Sequence, residues 1–314
     1  MATDSYRYLE AAGPDYREGG PLLFAFHGTG GDETQFSDLA RQVFPEAIAI
    51  APRGDVSENG MLRFFRRTGE GVYDMQDLAD RTGRMADFIR AHAERLRPAA
   101  TVGMGYSNGA NILTSVMLTA PELFSHAILM HPLIPWTITP DDSLAGADVL
   151  VTAGGRDPIC PPEMTGQLIE GLESRGAAVQ SHWHAGGHEI DAGEIAAVGQ
   201  YLEALRTRLL PVESLRVERE KISAQKGRYV VHGAGATEAE MSYSRSGANT
   251  LIIDHTEVPQ AFRGKGIGGL MLDRLTADAR EEGMAIIPIC PYAAAQFKRH
   301  PEWRDLLAPG FDAS

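Results

Sequence analysis

The sequence is poor in cysteine and in basic residues. Its 314 residues include two cysteines, Cys160 and Cys290, which lie far apart and form no C-x-x-C pair. A structural disulfide is therefore not expected, and a reducing compartment fits this cysteine usage. Lysine and arginine together number 29 against 42 aspartates and glutamates, so the formal net charge is −13. This balance argues against nucleic acid as a partner.

Long apolar runs are also missing. No stretch has the roughly 20 consecutive apolar residues that a membrane-spanning helix needs, and residues 1–7 lack the basic and apolar regions of a signal peptide. We therefore expect a cytoplasmic protein without membrane association. The length suits one domain over residues 1–210 followed by a smaller one over residues 211–314.

The most informative stretch is a G-x-S-x-G pentapeptide at residues 105–109, with Ser107 at its centre. An apolar run precedes it, and a helix-like run from Ala110 to Ala120 follows. A nucleophile elbow needs a strand, a sharp turn whose flanking glycines remove steric clashes, and then a helix. Ser107 would stand at the helix N-terminus, where the dipole favours a developing oxyanion. The pattern predicts that Ser107 is a nucleophile.

Two further residues follow in the chain order serine, acid, histidine. Asp157 comes just after segment 148–155, which reads as a buried strand of β-branched and small residues ending in a Gly-Gly turn, and His188 lies in the loop after the alternating run 179–184. Each alone has an ordinary structural explanation, since an aspartate before proline often caps a helix and a loop histidine is often a surface residue. Together they predict a triad in which His188 takes the Ser107 proton and Asp157 fixes the imidazole tautomer.

An early glycine-rich loop is the candidate for the oxyanion hole. Residues 27–31 read His-Gly-Thr-Gly-Gly and follow the apolar run 21–26. Such a loop can direct backbone N–H groups at a carbonyl oxygen. We assign the N–H groups of Thr29 and Asn108 as the two donors, and we interpret His27 as a structural histidine that bonds its own loop.

Three histidines invite a zinc interpretation. His182, His184 and His188 form an H-x-H-x-x-x-H pattern, and the first two lie on one face of a strand. His188 is already assigned to the triad, and no cysteine or carboxylate cluster completes a ligand set with an open position. We therefore expect no metal.

Residues 1–210 resemble the phospholipase/carboxylesterase branch of the α/β-hydrolase fold, and within it the hydroquinone-linked hydrolase-like subgroup. The resemblance is carried by residues 27–33, 51–54, 63–67, 105–111 and 155–159. It implies a mostly parallel sheet flanked by helices with little or no lid, a carboxylic ester hydrolase, a homodimer and the triad named above. The substrate pocket is assigned to Arg53, Arg63, Phe64, Phe65 and Trp136. From the residues alone, segment 63–67 is either a dimer or surface contact or a pocket wall that recognises an acidic or aromatic substrate.

The pattern changes after residue 209. Short alternating segments between residues 215 and 258, punctuated by glycine and asparagine, predict an antiparallel meander. A glycine-rich loop then opens an amphipathic helix whose apolar residues, from Ile267 to Ala279, recur at helical spacing. Backbone N–H groups of such a loop form a cradle for a pyrophosphate, and Arg263 and Lys265 add positive charge. A Rossmann site is disfavoured because no βαβ unit is evident.

The Arg-x-x-Gly-x-Gly arrangement of this loop and the later Cys-Pro strand end resemble compact GNAT-like N-acetyltransferase domains. The resemblance covers roughly residues 214–307 and implies a small α+β domain that binds acetyl-CoA. It implies that Glu257 and Val258 edge the pantetheine groove. It also assigns the pyrophosphate to Arg263, Gly264, Lys265, Gly266, Ile267 and Gly268. Cys290 and His255 are candidates for the acetyltransferase centre, while a buried apolar role for Cys290 and strand packing for His255 stay open.

We interpret the chain as a serine carboxylesterase that hydrolyses small or short-acyl esters through an acyl-enzyme and carries an acetyl-CoA-binding domain. No cofactor is expected for the esterase. One alternative is a thioesterase or a quinone-detoxification hydrolase. The other is a GNAT-like domain that regulates or oligomerises the chain without catalysis.

Overall fold

The computed structural model describes residues 5–69 and 71–311. The chain divides into two compact units, Met1–Leu202 and Glu203–Ser314. The helices of the N-terminal unit are α1 (Ser37–Val43), α2 (Met75–Leu96), α3 (Asn108–Thr119), α4 (Pro162–Glu173) and the first part of α5 (Ala192–Leu209). Its strands are β1 (Tyr8–Ala12), β2 (Leu22–Phe26), β3 (Ile48–Pro52), β4 (Val56–Glu58), β5 (Met61–Arg63), β6 (Arg67–Gly69), β7 (Val72–Tyr73), β8 (Thr101–Tyr106), β9 (His126–Met130), β10 (Asp148–Gly154) and β11 (Ala178–His184).

A mostly parallel sheet forms the centre of the N-terminal unit. In the described part of the chain it has seven strands in the order β1-β3-β2-β8-β9-β10-β11. β1 runs antiparallel to β3, and the other neighbours are parallel. Every residue of β2 and of β10 is buried, as expected for strands covered by helices on both faces. Because parallel strands end at the same edge, this sheet gathers the residues that follow β2, β8, β9, β10 and β11.

Two helices, α2 and α3, pack against strands of this sheet. α2 begins at Asp74, whose carboxylate accepts the Asp77 N–H, and ends at Arg97 in the left-handed region. Its apolar face, which includes Met85, Phe88 and Ile89, is buried. α3 is buried over most of its length. It therefore provides a rigid base for the residue that precedes it.

The C-terminal unit contains the strands β12 (Val217–Lys221), β13 (Lys226–His232), β14 (Glu238–Ser246), β15 (Thr250–Glu257) and β16 (Ala285–Pro288), and the helices α6 (Ile267–Glu282) and α7 (Pro291–Arg299). β12 to β15 form an antiparallel meander, and β16 adds to β15 in parallel after α6. The predicted architecture, a mostly parallel sheet flanked by helices and followed by a small α+β domain, is confirmed.

The division between the two units falls within α5, after Leu202. The sequence predicted a boundary between residues 210 and 211. The last turns of α5 serve the C-terminal unit: Thr207 Oγ1 accepts the Ala234 N–H at 2.9 Å, and Glu203 accepts the Ala236 N–H. An amphipathic pattern alone does not show which unit a helical turn packs with.

Across residues 5–69 and 71–311, no helix combines the length and apolar composition that a membrane crossing demands.

Candidate active site

Ser107 occupies a sharp turn between β8 and α3. Its backbone has φ 51° and ψ −117°, a region that residues with a side chain rarely adopt. A Cβ at Gly105 would lie 2.6 Å from the Gly109 carbonyl oxygen. A Cβ at Gly109 would lie 2.5 Å from the His27 carbonyl oxygen and nearer still to that of Phe26. The two glycines of the pentapeptide therefore permit the turn, as their spacing predicted.

The structure brings the three predicted triad residues together. His188 Nε2 lies 2.9 Å from Ser107 Oγ, and His188 Nδ1 lies 2.7 Å from Asp157 Oδ2. The other carboxylate oxygen, Oδ1, accepts the N–H groups of Ile159 and Cys160 at 2.8 and 2.9 Å. A proton can thus pass from Ser107 to His188 while a fixed carboxylate holds the far side of the imidazole.

The structure adds His131, which no sequence motif indicates. It follows β9, is fully buried and has a φ of 49°. Its Nδ1 lies 2.7 Å from Asp157 Oδ2, and its Nε2 lies 3.2 Å from Glu194 Oε2 on α5. A polar residue directly after a parallel strand, at the same edge as Ser107, was the available signal.

The charges around His131 compensate one another. Burial opposes a charge on His131, but its bonds with Glu194 and Asp157 outweigh burial and raise its pKa above the ordinary value. Burial raises the pKa of Asp157, but the bonds from Cys160 N–H, His188 and His131 outweigh it and hold that pKa below the ordinary range. Burial likewise opposes the Glu194 charge, yet hydrogen bonding, first from His131, lowers the pKa of Glu194. The arrangement is a histidine between two carboxylates, and this geometry favours the charged form of the ring.

Among the described residues, two groups of side chains bring ligand-type atoms within 4.8 Å of one another: His131, His184 and Glu194, and His131, Asp157 and His188. Both ring nitrogens of His131 lie at hydrogen-bonding distance from carboxylates, and His184 Nδ1 accepts the Gly186 N–H at 3.1 Å. Hydrogen bonds within the protein thus already engage these three nitrogens. The expectation of no metal stays a prediction.

A cavity of about 270 Å³ opens beside Ser107. Arg63 lines it and donates from Nη1 to Thr29 Oγ1 at 2.7 Å. Asn111 lies in another wall of the cavity and connects two of its neighbours there. It donates to Tyr73 Oη at 2.7 Å and accepts the Leu133 N–H at 2.7 Å. The full lining comprises Thr29, Met61, Arg63, Arg67, Gly71, Tyr73, Tyr106, Ser107, Asn108, Asn111, Leu133, Ile159, Cys160 and His188.

Four predicted pocket residues lie elsewhere. Phe64 and Phe65 are 1% and 0% exposed, and they pack beneath the site, Phe64 against Phe26 with ring centroids 5.7 Å apart. Arg53 is paired with Glu33 at 3.2 Å. Trp136 lines a separate cavity whose wall has both apolar and polar residues, among them Met164 and Gln167. The pocket assignment is corrected accordingly: rings in a loop segment were placed by the hydrophobic effect in the core, and only Arg63 faces the Ser107 cavity.

The proposed oxyanion donors both border this cavity. Thr29 follows β2, and Asn108 opens α3, where its N–H has no acceptor within the helix. His27 bonds its own loop, since Nδ1 donates to the Gly28 carbonyl oxygen at 2.7 Å and Nε2 accepts the Gly54 N–H at 2.9 Å. Burial lowers the pKa of His27, so the ring is neutral. The structural interpretation of His27 is confirmed.

In the C-terminal unit, the glycine-rich loop leads into α6. Gly264 and Gly266 have φ values of 76° and 68°, and Gly266 is the residue before the helix. Among the described residues no atom lies within 4 Å of a Cβ built at Gly264, Gly266 or Gly269, whereas one at Gly268 would be 2.6 Å from Tyr292 Cζ. The loop thus exposes backbone to a ligand, and the first-turn N–H groups of α6 have no partner within the helix. The residues fit a pyrophosphate.

The remaining predicted residues of this unit are placed as follows. Lys265 Nζ donates to the Leu210 carbonyl oxygen, so its charge is engaged away from the loop backbone. Cys290 is 4% exposed and its Sγ lies 3.4 Å from Thr256 Oγ1. His255 is exposed on β15, and Val258 follows the end of that strand, 38% exposed. Ile267 is buried and anchors the first turn of α6.

Fold and site together define an α/β-hydrolase with a GNAT-like domain after it. A family model described as GCN5-related N-acetyl-transferase matches residues 228–306. The "Putative hydrolase MhqD" of Bacillus subtilis (strain 168) is 38% identical over 187 residues, which cover 59% of this chain and 94% of that protein.

Solved structures give the same result for the N-terminal part. The protein Atu2452 of Agrobacterium tumefaciens strain C58, of unknown function, is 51% identical with a TM-score of 0.62, and the match covers 65% of this chain and 98% of that one. The carboxylesterase of Bacillus cereus is 35% identical with a TM-score of 0.58, and the match covers 63% and 93%. The chain therefore belongs to the carboxylesterase family of α/β-hydrolases, and its C-terminal part is GNAT-like.

Proposed function

We propose that the chain is a serine carboxylesterase for small or short-acyl esters. The observation that carries this proposal is the hydrogen-bonded series Ser107–His188–Asp157 at the wall of a cavity that has glycine-rich backbone beside it. Ser107 Oγ attacks the ester carbonyl carbon as its proton passes to His188 Nε2, and the N–H groups of Thr29 and Asn108 stabilise the oxyanion. His188 then protonates the leaving alcohol, and water attacks the acyl-enzyme by the same route.

Cavity size supports the restriction to small esters. The volume of about 270 Å³ lies just below the roughly 300–1,000 Å³ that drug-sized ligands occupy. Long acyl chains would extend into solvent and gain little from apolar burial.

Charge at the cavity supports a preference for an ester that also bears an anionic group. Arg63 and Arg67 line the cavity, and both contact the carboxylate of Glu58, at 3.3 and 3.0 Å. A guanidinium at the cavity wall can bind a carboxylate of the substrate through two parallel hydrogen bonds.

The direct test is hydrolysis of p-nitrophenyl esters from acetyl to dodecanoyl by the wild-type protein and by Ser107→Ala. We expect turnover that falls with chain length and that Ser107→Ala reduces by a factor on the order of 10⁴ or more, because the nucleophile is lost. Ser143→Ala, at an exposed serine, is the matched control and should retain wild-type rates. Activity that survives in a folded Ser107→Ala protein contradicts the assignment. Comparison of thioesters with aryl esters separates a thioesterase or a quinone-linked hydrolase from a carboxylesterase.

We also propose that the C-terminal unit binds acetyl-CoA. The supporting observation is the open backbone at Gly264, Gly266 and Gly269 at the start of α6. The ligand would supply an activated acetyl thioester, while the loop N–H groups and the exposed Arg263 would hold its pyrophosphate. Cys290 and His255 stay candidates for the reactive centre.

Calorimetry with acetyl-CoA and with CoA tests this proposal, with Arg263→Gln as the weakened variant. Absence of heat in the folded wild-type protein contradicts it. If acetyl-CoA changes ester hydrolysis and is not consumed, the unit is a regulatory module instead of a transferase.

The homodimer and the cytoplasmic location stay proposals, and light scattering tests the proposed homodimer.

A further inference from the structure

We infer that His131 and Glu194 form a buried ion pair that holds Asp157 and sets the pH range in which the esterase site is active. The inference rests on the proposed esterase function. His131 and Glu194 are positioning residues in this scheme, because both act through Asp157 and neither borders the Ser107 cavity.

The geometry places Asp157 at the centre of a rigid hydrogen-bonded series. Its Oδ2 accepts from two imidazoles, His188 and His131, each at 2.7 Å. Its Oδ1 accepts two backbone N–H groups. All four donors come from parts of the chain fixed at the sheet edge, so the carboxylate has little freedom to rotate away from His188 Nδ1.

Glu194 keeps the second imidazole charged. Its Oε2 lies 3.2 Å from His131 Nε2 and also accepts the Asp191 N–H at 3.0 Å. Because Nδ1 of His131 already donates to Asp157, a proton on Nε2 makes the ring an imidazolium. The side chains of His131, Asp157 and Glu194 are each 0% exposed, so water does not screen the pair.

Stability alone is a weak explanation for this cluster. Replacing a buried ion pair with packed apolar residues is often neutral or stabilising, since two charges must be removed from water. This cluster lies beside the nucleophile, and Asp157 Oδ2 contacts both His131 and His188. An effect on the triad explains such a cluster better.

Other titratable groups also face His131 and its partners, and Nε2 of one of them, His184, lies 3.4 Å from Glu194 Oε2. They come from β8, from the loops after β10 and β11, from β11 itself and from the turn before α5. In the described residues they are Tyr106, Cys160, His184, His188, Glu189 and Asp191.

The expected effect on catalysis is a shift in pH dependence. The His131 ring lies 5.0 Å from the His188 ring, so its positive charge opposes a second positive charge on His188. Loss of that cation alone would move the acid limb of the activity profile upward by roughly two pH units, from unit charges at this distance in an effective dielectric constant near 20. Each single variant removes one charge of the pair, and we expect the buried partner to lose its charge as well. Loss of the Glu194 negative charge acts in the opposite direction and offsets about half of the shift, which leaves about one pH unit.

The test uses His131→Asn, Glu194→Gln and the double variant in the full chain. Asparagine tolerates the left-handed backbone at this position and keeps a side-chain N–H for Asp157. Glutamine keeps the shape of Glu194 without its charge. His126→Asn, at the opposite end of β9, is the matched control.

The first readout is the rate of Ser107 labelling by a fluorophosphonate across pH, with kcat/KM for p-nitrophenyl acetate beside it. We expect the acid midpoint to rise by about one pH unit in each single variant, by no more in the double variant and not at all in His126→Asn. Equal shifts in the singles and the double are expected because the two charges act as one unit. Variants that lose thermal stability but keep the wild-type midpoint overturn the inference and leave only a structural role.

The second readout is independent of activity and of the variants' folding. In ¹⁵N-histidine-labelled wild-type protein at pH 8, above the ordinary histidine value of about 6.5, we expect both ring nitrogens of His131 to be protonated. A neutral His131 at that pH overturns the inference. If wild-type protein neither reacts with the fluorophosphonate nor hydrolyses any ester, the proposed function fails, and this spectrum still decides the charge of His131.

Discussion

Replacing Gly109 with alanine should displace the nucleophile while leaving every triad residue in the sequence. The new Cβ would lie 2.5 Å from the His27 carbonyl oxygen and closer to that of Phe26, and both are backbone atoms at the end of β2. Since neither can rotate away, α3 and the β2 end must separate. That separation moves Ser107 relative to Thr29, the proposed oxyanion donor on the β2 side.

The magnitude follows from the size of the clash. A misplacement on the order of 1 Å can reduce a rate about 100-fold, so we expect kcat/KM for p-nitrophenyl acetate to fall by about that factor. Overpacking of this kind costs about 1–3 kcal/mol of unfolding free energy. In a unit of this size each kcal/mol lowers Tm by roughly 2–4 °C.

The matched control is Gly83→Ala on α2. Among the described residues no atom lies within 4 Å of a Cβ at Gly83, and the position is an exposed helix interior. Alanine there should leave kcat/KM unchanged and add up to about 1 kcal/mol of stability. The reasoning is refuted if Gly109→Ala keeps activity and Tm within error of Gly83→Ala.

Three other outcomes are expected. Arg67→Gln should lower kcat/KM about tenfold more for esters that carry a carboxylate than for neutral ones, since a charge-assisted contact contributes about 1.5 kcal/mol; equal losses would contradict the charge argument. Gly268→Ala should remove the heat of acetyl-CoA binding, because its Cβ meets Tyr292, and Gly268→Ala combined with Tyr292→Ala should restore it; unaltered binding by the single variant would show that the loop is not used. The stability that His131 contributes should be full below about pH 6.5 and be lost as pH rises through its raised pKa, so the Tm difference between wild type and His131→Asn should shrink at alkaline pH; a constant difference argues against a charged His131.

The elbow and the triad residues could be found in the sequence because their signals are local. A pentapeptide between a strand and a helix fixes Ser107, and a polar residue after each later strand indicates Asp157 and His188. In a parallel sheet those positions meet at one edge, and the structure brings them within hydrogen-bonding distance. The glycine-rich loop before α6 was recognisable for the same reason.

The residues that escaped prediction depend on long-range packing. His131 matters because its neighbours come from the Asp157 loop and from α5, and no spacing rule joins those segments. Phe64 was assigned to the pocket wall because aromatic rings are common there, yet burial against Phe26 placed it in the core. Trp136 lines a second cavity together with residues of α4, a helix far from it in the sequence. Such outcomes require coordinates.

The position of the unit boundary within α5 has a consequence for how the gene can be divided. Cutting the chain at the apparent end of the helix, after residue 210, would remove Glu203 and Thr207 from the C-terminal fragment, and the turn at residues 233–236 would lose both of its side-chain acceptors. A protease that clips exposed linkers would meet backbone already engaged in helical hydrogen bonds. An expression clone of the GNAT-like part should therefore start at or before residue 203, and one that starts at residue 211 should yield a less stable product.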